Sequence, residues 1–140
     1  MRVFVDTSVL VEYLKGNNIK FYENLLVSNV DGFFINQVVF SEFLFYFIAF
    51  QTNTSPLSAK MANKISASFE NLNPLDMLPG FSHLEHNAEI AERALEYVKR
   101  YNLLPNDALI LSTCKYHKIN HIATFDTDFV VPCSELGIKV

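Results

Sequence analysis

Four carboxylates stand where carboxylates are seldom found. Asp6 ends the apolar run Val3-Phe4-Val5, Glu42 lies inside the stretch 38–50, Asp107 opens Ala108-Leu109-Ile110-Leu111, and Asp126 follows Ile122-Ala123-Thr124-Phe125. Apolar surroundings disfavour an ionised carboxylate unless a partner compensates it. Gathered at one place, two such groups about 4 Å apart repel by roughly 1 kcal/mol in water and about 4 kcal/mol at an effective dielectric near 20. A divalent cation removes that repulsion. Oxygen-only donors suit the hard ions Mg²⁺ or Mn²⁺ rather than zinc, and such ions bind phosphates, acidify a water and steady a leaving oxygen. Taken singly, most of the acids have ordinary explanations: Asp6 or Ser8 as a helix cap, Asp107 as a charge favoured at a helix start, Asp126 and the nearby Asp128 as turn formers. Glu42, set among Val39, Phe40, Phe43, Leu44 and Phe45, is harder to dismiss, since it pays desolvation unless it faces a site or a partner.

The elements around these residues decide whether the acids can meet. Residues 2–5 form an apolar run that suits a buried parallel strand, and Thr7 and Ser8 can cap a helix over 9–15. A second strand is expected at 32–36, followed by an apolar helix at 38–50 that must be covered on most sides. Ser55-Pro56 starts a helix expected to run to about residue 71, and Pro74 and Pro79 bracket a short strand at 75–78. Over 85–101 the residues Ala91, Ala94, Leu95, Val98 and Tyr101 recur at helical spacing, and Glu89 and Arg93 lie four apart on the polar side. Pro105 and Asn106 begin a helix to about residue 117. A strand at 121–124, a polar turn at 126–129 and an edge strand at 137–140 complete the pattern. Alternation of this kind predicts one α/β domain over 1–140, a three-layer α/β/α sandwich with a mainly parallel sheet of about five strands. Asp6 and Asp126 then follow strand ends, and Glu42 and Asp107 lie near helix starts. In a parallel sheet that is the edge where ligands bind.

Composition narrows the function. Half of the 140 residues are hydrophobic, 13 are Phe and 19% are charged, which predicts a packed interior rather than disorder. The longest apolar stretch is broken by Ser41 and Glu42 and falls short of the roughly 20 residues of a membrane-spanning helix. The first residues reach Asp6 at once, which leaves no room for a signal peptide, so a cytoplasmic location is expected. Cys114 and Cys133 form no Cys-x-x-Cys pair and read as reduced, partly buried thiols. A net charge of −4 argues against coating nucleic acid by bulk electrostatics. It does not argue against a metal nuclease, whose acids are offset by bound cations where phosphate approaches.

Read in order, Val5-Asp6-Thr7-Ser8-Val9-Leu10, Ser41-Glu42, Asn106-Asp107-Ala108-Leu109-Ile110 and Thr124-Phe125-Asp126-Thr127-Asp128-Phe129 resemble the PIN-domain nucleases over nearly the whole chain. In size the closest resemblance is to toxin nucleases of VapC type. The resemblance implies a PIN-like sandwich with an acidic metal site at Asp6, Glu42, Asp107 and Asp126, Asp128 as an optional fifth acid, and Ser8 and Thr124 as polar supports. It also implies Mg²⁺- or Mn²⁺-dependent endonucleolytic cleavage of RNA leaving a 5′-phosphate, a homodimer, and a cognate antitoxin that holds the enzyme inactive. Candidates for phosphate contacts are Lys15, Lys60, Lys64, Arg93, Lys115 and Lys118, although lysines on helices are more often solvated faces.

Three other readings are weaker. An α/β phosphohydrolase using Asp6 as nucleophile would want a second acid two residues on, where this chain has Ser8. A PIN-like domain that binds RNA or protein without cutting has no reason to keep four repelling acids. His83-x-x-His86 and His117-x-x-x-His121 have ligand-like spacings for zinc, but no cysteine pair accompanies them.

Overall fold

Val3, Phe4 and Val5 are almost completely buried, because the strand they form is flanked on both edges and covered on both faces. A computed structural model describes all 140 residues. Strand β1 (Arg2–Val5) pairs in parallel with β2 (Gly32–Asn36) on one side and β4 (His121–Ala123) on the other, and β3 (Phe81–Leu84) pairs in parallel with β2. The order β3-β2-β1-β4 means that the chain builds outward from β1 and then returns to its opposite edge. Strand order therefore reverses between β1 and β4, the switch point at which parallel sheets open a binding crevice. Val3 is aligned with Phe33 on one side and with His121 on the other, so the three strands end close together.

Seven helices flank the sheet: α1 (Thr7–Leu14), α2 (Ile19–Leu26), α3 (Gln37–Thr52), α4 (Pro56–Met61), α5 (Ala88–Tyr101), α6 (Pro105–Tyr116) and α7 (Val130–Leu136). Helix α1 packs on α2 and α3, and α5 packs on α6. Polar caps fix the starts that matter. Asn36 Oδ1 accepts from Val39 N at 3.0 Å, while its amide donates to Thr113 Oγ1 at 3.0 Å, so this buried residue joins the end of β2 to both α3 and α6. A core of 25 buried residues runs from Val3 to Ile138. No helix is long and apolar enough to cross a membrane.

Several expected elements differ. The helix after Pro56 stops at Met61 instead of continuing to residue 71: Asn63 takes the left-handed conformation (φ 56°), and Lys64 N–H turns back to Ala59 O at 2.8 Å. The strand expected at 75–78 is a 3₁₀ turn, Pro74–Met77, because Asn73 Oδ1 captures Leu75 N at 3.0 Å and Pro74 occupies its first position. The sheet strand comes later, after Gly80 (φ 72°), and Phe81-Ser82-His83-Leu84 lacks a strong strand pattern. Helix α5 accordingly begins at Ala88, capped by Asn87. Helices α2 and α7 were not foreseen, and the expected edge strand at 137–140 contributes a single parallel bridge, Lys139 to His121. The sheet thus has four strands.

Two helix faces also depart from expectation. Helix α3 buries only the stripe Val39, Phe43 and Phe47 and leaves Phe45, Tyr46 and Phe50 about half exposed, so it is not covered on most sides. Helix α5 buries Ile90, Ala94 and Tyr97, while Ala91 and Leu95 face solvent. Ala94, Val98 and Tyr101 of the expected stripe do pack on the core, while Ile90 and Tyr97 take the places expected of Ala91 and Leu95. Ile90→Ala should therefore lower the unfolding free energy by about 2–5 kcal/mol, whereas Leu95→Ala should change it by less than about 0.5 kcal/mol. Urea denaturation of the two variants checks the assignment, and equal losses would contradict it.

Candidate active site

Asp6 follows the last residue of β1 and is 5% exposed. Its backbone N–H donates to Ala123 O at 3.0 Å, which ties it to the end of β4. Three donors converge on Oδ2: Ser8 N at 3.3 Å, Ser8 Oγ at 2.6 Å and Thr124 Oγ1 at 2.8 Å. Both hydroxyl oxygens accept in turn, Ser8 from Phe125 N–H at 3.0 Å and Thr124 from Asp126 N–H at 3.0 Å. Each hydroxyl has one proton and gives it to Asp6, so the two side chains lock the loop after β4 onto the loop after β1. Asp126 Oδ1 then accepts from Asp128 N at 2.9 Å and caps the 3₁₀ turn Thr127–Phe129. Burial raises the Asp6 pKa above the usual carboxylate range, against the opposing pull of the bonds from Ser8 and Thr124. The cap and turn explanations hold for Asp6 and Asp126, but they account for only part of each carboxylate.

Glu42 sits on the second turn of α3, one turn before exposed Tyr46, and is half-buried. Thr7 Oγ1 donates to its Oε2 at 2.7 Å and Asn106 Nδ2 donates to its Oε1 at 2.7 Å. Both oxygens are thereby fixed by neutral donors from the starts of α1 and α6. Neither Thr7 nor Asn106 was singled out for this role from the sequence. The available signal was their position beside Asp6 and Asp107, together with the need of a glutamate in an apolar helix for donors.

Asp107 lies in the first turn of α6 with no N-cap side chain ahead of it. The carboxylate oxygens of Asp107, Asp126 and Asp128 all lie within 4.8 Å of one another. One cavity of about 350 Å³ is lined by Asp6, Glu42, Asp107 and Asp126, with Thr7, Ser8 and Lys15 among its other walls. The four acids expected to converge do share one site. Asp128, ranked as optional, joins the tight cluster and also borders a second cavity beside Arg100 and Glu135. The Asp107 carboxyl is pushed up to about 6, first by burial and then by the charges of Asp126, Asp6, Glu42 and Asp128. None of the five acids is paired with a lysine or arginine: the salt bridges lie at Met1–Asp31, Lys15–Glu12, Arg93–Glu89 and Arg100–Glu135. Asp107, Asp126 and Asp128 lie close enough to share one ion, and none of the five acids is ion-paired, a donor set that fits a hard divalent metal.

Of the basic candidates only Lys15 lines this cavity. Lys115 donates to Leu136 O at 2.9 Å and Arg93 pairs with Glu89, while Lys118 borders a separate cavity. The histidines do not cluster: His83 packs edge-on to Phe40, His117 bonds Glu85 O and His121 bonds Asn120. Cys114 and Cys133 are both fully buried, and burial raises their thiols, that of Cys133 to about 11. Such thiols are poor nucleophiles.

The PIN domain family model matches residues 3–133. The chain is 38% identical over 130 residues to Ribonuclease VapC2 of Methanocaldococcus jannaschii, a match covering 91% of this chain and 87% of that protein. It is also 38% identical over 138 residues to Ribonuclease VapC6 of the same organism, covering 91% and 90%. Among solved structures it resembles a chain of a toxin-antitoxin complex from Klebsiella pneumoniae with a TM-score of 0.61, 19% identity and coverage of 94% and 93%, which shows the shared fold.

The crowding around Asp107 has a measurable effect on stability. Its folded-state value near 6 lies above the ordinary value of about 3.9. The folded state therefore holds this proton more tightly, and stability falls as pH rises from about 4 to about 6, by on the order of 2 kcal/mol, before levelling off. In chelator-treated protein, Asp107→Asn should match the wild type near pH 4 and exceed it in stability at pH 7. Parallel stability curves from urea titrations across this range would contradict the assignment.

Proposed function

Because this chain belongs to the PIN-domain family, alongside ribonucleases of VapC type, we propose that it is an endoribonuclease that hydrolyses RNA phosphodiester bonds with Mg²⁺ or Mn²⁺ at its acid cluster. The observation that carries this reading is the convergence of Asp107, Asp126 and Asp128 within 4.8 Å, in a crevice walled by Asp6 and Glu42 and without a basic partner. Asp107, Asp126 and Asp128 are the nearest set for one ion, and Asp6 and Glu42 complete the negative wall. When bound, the ion supplies an acidified water and neutralises phosphate charge.

The chain's own residues set the geometry. Ser8 and Thr124 hold Asp6 through Oδ2 and carry Asp126 in register with it. Thr7 and Asn106 keep Glu42 turned toward the cavity and leave lone pairs on both oxygens for a further partner. Lys15 provides a cation at the cavity wall for a substrate phosphate. We extend the reading to the toxin of a toxin-antitoxin pair in the cytoplasm, acting as a homodimer and restrained by a cognate antitoxin protein. The fold shared with a member of a toxin-antitoxin complex supports this extension.

Purified protein should cut RNA only when Mg²⁺ or Mn²⁺ is added, and Asp126→Asn or Asp107→Asn should lower the rate by about 100-fold or more, since a catalytic metal is worth several kcal/mol in the transition state. Undiminished cutting in chelator, or by either variant, would overturn the reading. Thr7→Val should lower Mn²⁺ affinity and turnover about 10–100-fold, as loss of an outer partner of a metal ligand does, while Thr7→Ser retains both. Calorimetric titration with Mn²⁺ gives the affinity without RNA, and an unchanged constant for Thr7→Val would exclude the clamp on Glu42 from metal binding.

A further inference from the structure

The cavity that holds the acids continues along α1 away from them. Ser8, Val11, Glu12 and Lys15 line it at helical spacing, and the seven steps from Ser8 to Lys15 cover about 10 Å. This arm contains no acid of the metal cluster. The conspicuous apolar members of the whole cavity are Phe125, 41% exposed, and Tyr46, 46% exposed. Hydrophobic side chains of this size at a strand end are usually drawn into the core, as Phe129 is a few residues later. Phe125 is instead braced from outside the cavity by Phe21, with ring centroids 5.0 Å apart and planes at 53°. A tilted pair of this kind fixes one ring without covering it.

The position of Phe125 is tied to the acids on both sides. Its N–H donates to Ser8 Oγ, whose proton goes to Asp6, and the next residue is Asp126, whose N–H donates to Thr124. The ring therefore stands in fixed register with the carboxylates that flank it. An aromatic surface in such a place, with an ammonium group at the far end of the same cavity, matches one nucleotide: a base against the ring and a neighbouring phosphate near Lys15. We propose that Phe125 is a base-stacking platform that sets which RNA phosphate reaches the acid cluster, with Lys15 as the phosphate contact of that subsite. The inference rests on the endoribonuclease reading above and adds a substrate-positioning residue to it.

Stacking needs a planar ring, so the decisive comparison is Phe125→Leu, which keeps apolar bulk, with Phe125→Tyr, which keeps the plane. The side chain is exposed, and melting temperatures within a degree or two of wild type would establish that the fold is intact. In Mg²⁺, with an RNA strand that the wild type cuts, Phe125→Leu should raise KM about tenfold or more at nearly unchanged kcat, because stacking acts alike on bound substrate and transition state. Phe125→Tyr should stay within about twofold. The same strand carrying a single abasic site should lose the difference between wild type and Phe125→Leu when that site falls at the stacked position. Lys15→Gln should raise KM and reduce the salt dependence of binding by about one phosphate contact. If the wild type cuts RNA while Phe125→Leu matches it in KM, or if no abasic position removes the difference, the stacking platform is overturned and the nuclease reading stands. If the wild type cuts no RNA under any metal condition, both fail together.

Discussion

Mutual repulsion among carboxylates is the constraint around which this molecule is arranged. Four acids line one crevice and Asp128 lies within 4.8 Å of two of them, and Asp107 shows the result: its proton is held to about pH 6 by burial and by the other four charges. Nothing in the acids' own surroundings neutralises them. The fold keeps them together because each is mounted on an element that the core holds for other reasons. Asp6 ends the buried central strand, Asp126 follows β4 on the adjoining edge, Glu42 projects from the helix whose other face buries Phe43 and Phe47, and Asp107 begins the helix that buries Ile110 and Leu111. Hydrophobic burial of those neighbours, at about 1.5–3 kcal/mol for each large side chain, outweighs the electrostatic cost of the site.

Neutral donors, not cations, aim the acids. Ser8 and Thr124 each spend their single proton on Asp6 and receive a backbone N–H from the loop that carries Asp126, so two loops that the sheet merely brings near become one unit. Thr7 and Asn106 do the same for Glu42. Hydrogen bonds from hydroxyl and amide groups orient a carboxylate while leaving its charge uncompensated, and a site built this way retains its affinity for a cation. An arginine in any of these places would satisfy the same oxygens and remove the reason to bind metal. The strand order supplies the remaining condition, since the reversal between β1 and β4 opens the space in which the acids face one another.

The acids were legible in the sequence because charge in an apolar run is a local signal, and because strand ends and helix starts in a parallel α/β pattern point to one edge. The supports were only half legible. Ser8 and Thr124 stood out as polar supports, but the contacts of Thr7 and Asn106 with Glu42 join residues 35 and 64 positions apart, and no spacing rule reaches that far. The closeness of Asp128 to Asp107 was illegible for a similar reason: its oxygen approaches Asp107 through the 3₁₀ turn that Asp126 caps, a geometry that the turn residues alone do not determine. Between residues 60 and 84 asparagines and prolines decided the structure. Asn63 in a left-handed conformation and Asn73 capturing a backbone N–H overrode the long helix expected from the Ser55-Pro56 start and the strand expected between Pro74 and Pro79. Helix α7 carries Pro132 in its first turn, where a proline is tolerated.

The most direct test of the account is the titration of Asp107 itself, followed by its ¹³C carboxyl resonance in protein stripped of metal and again in millimolar Mg²⁺. The midpoint should lie near 6 without the ion and below the ordinary value of about 3.9 with it. A midpoint near 3.9 in the stripped protein, or one that Mg²⁺ leaves in place, would contradict the claim that the fold crowds these carboxylates together and that a divalent cation relieves them.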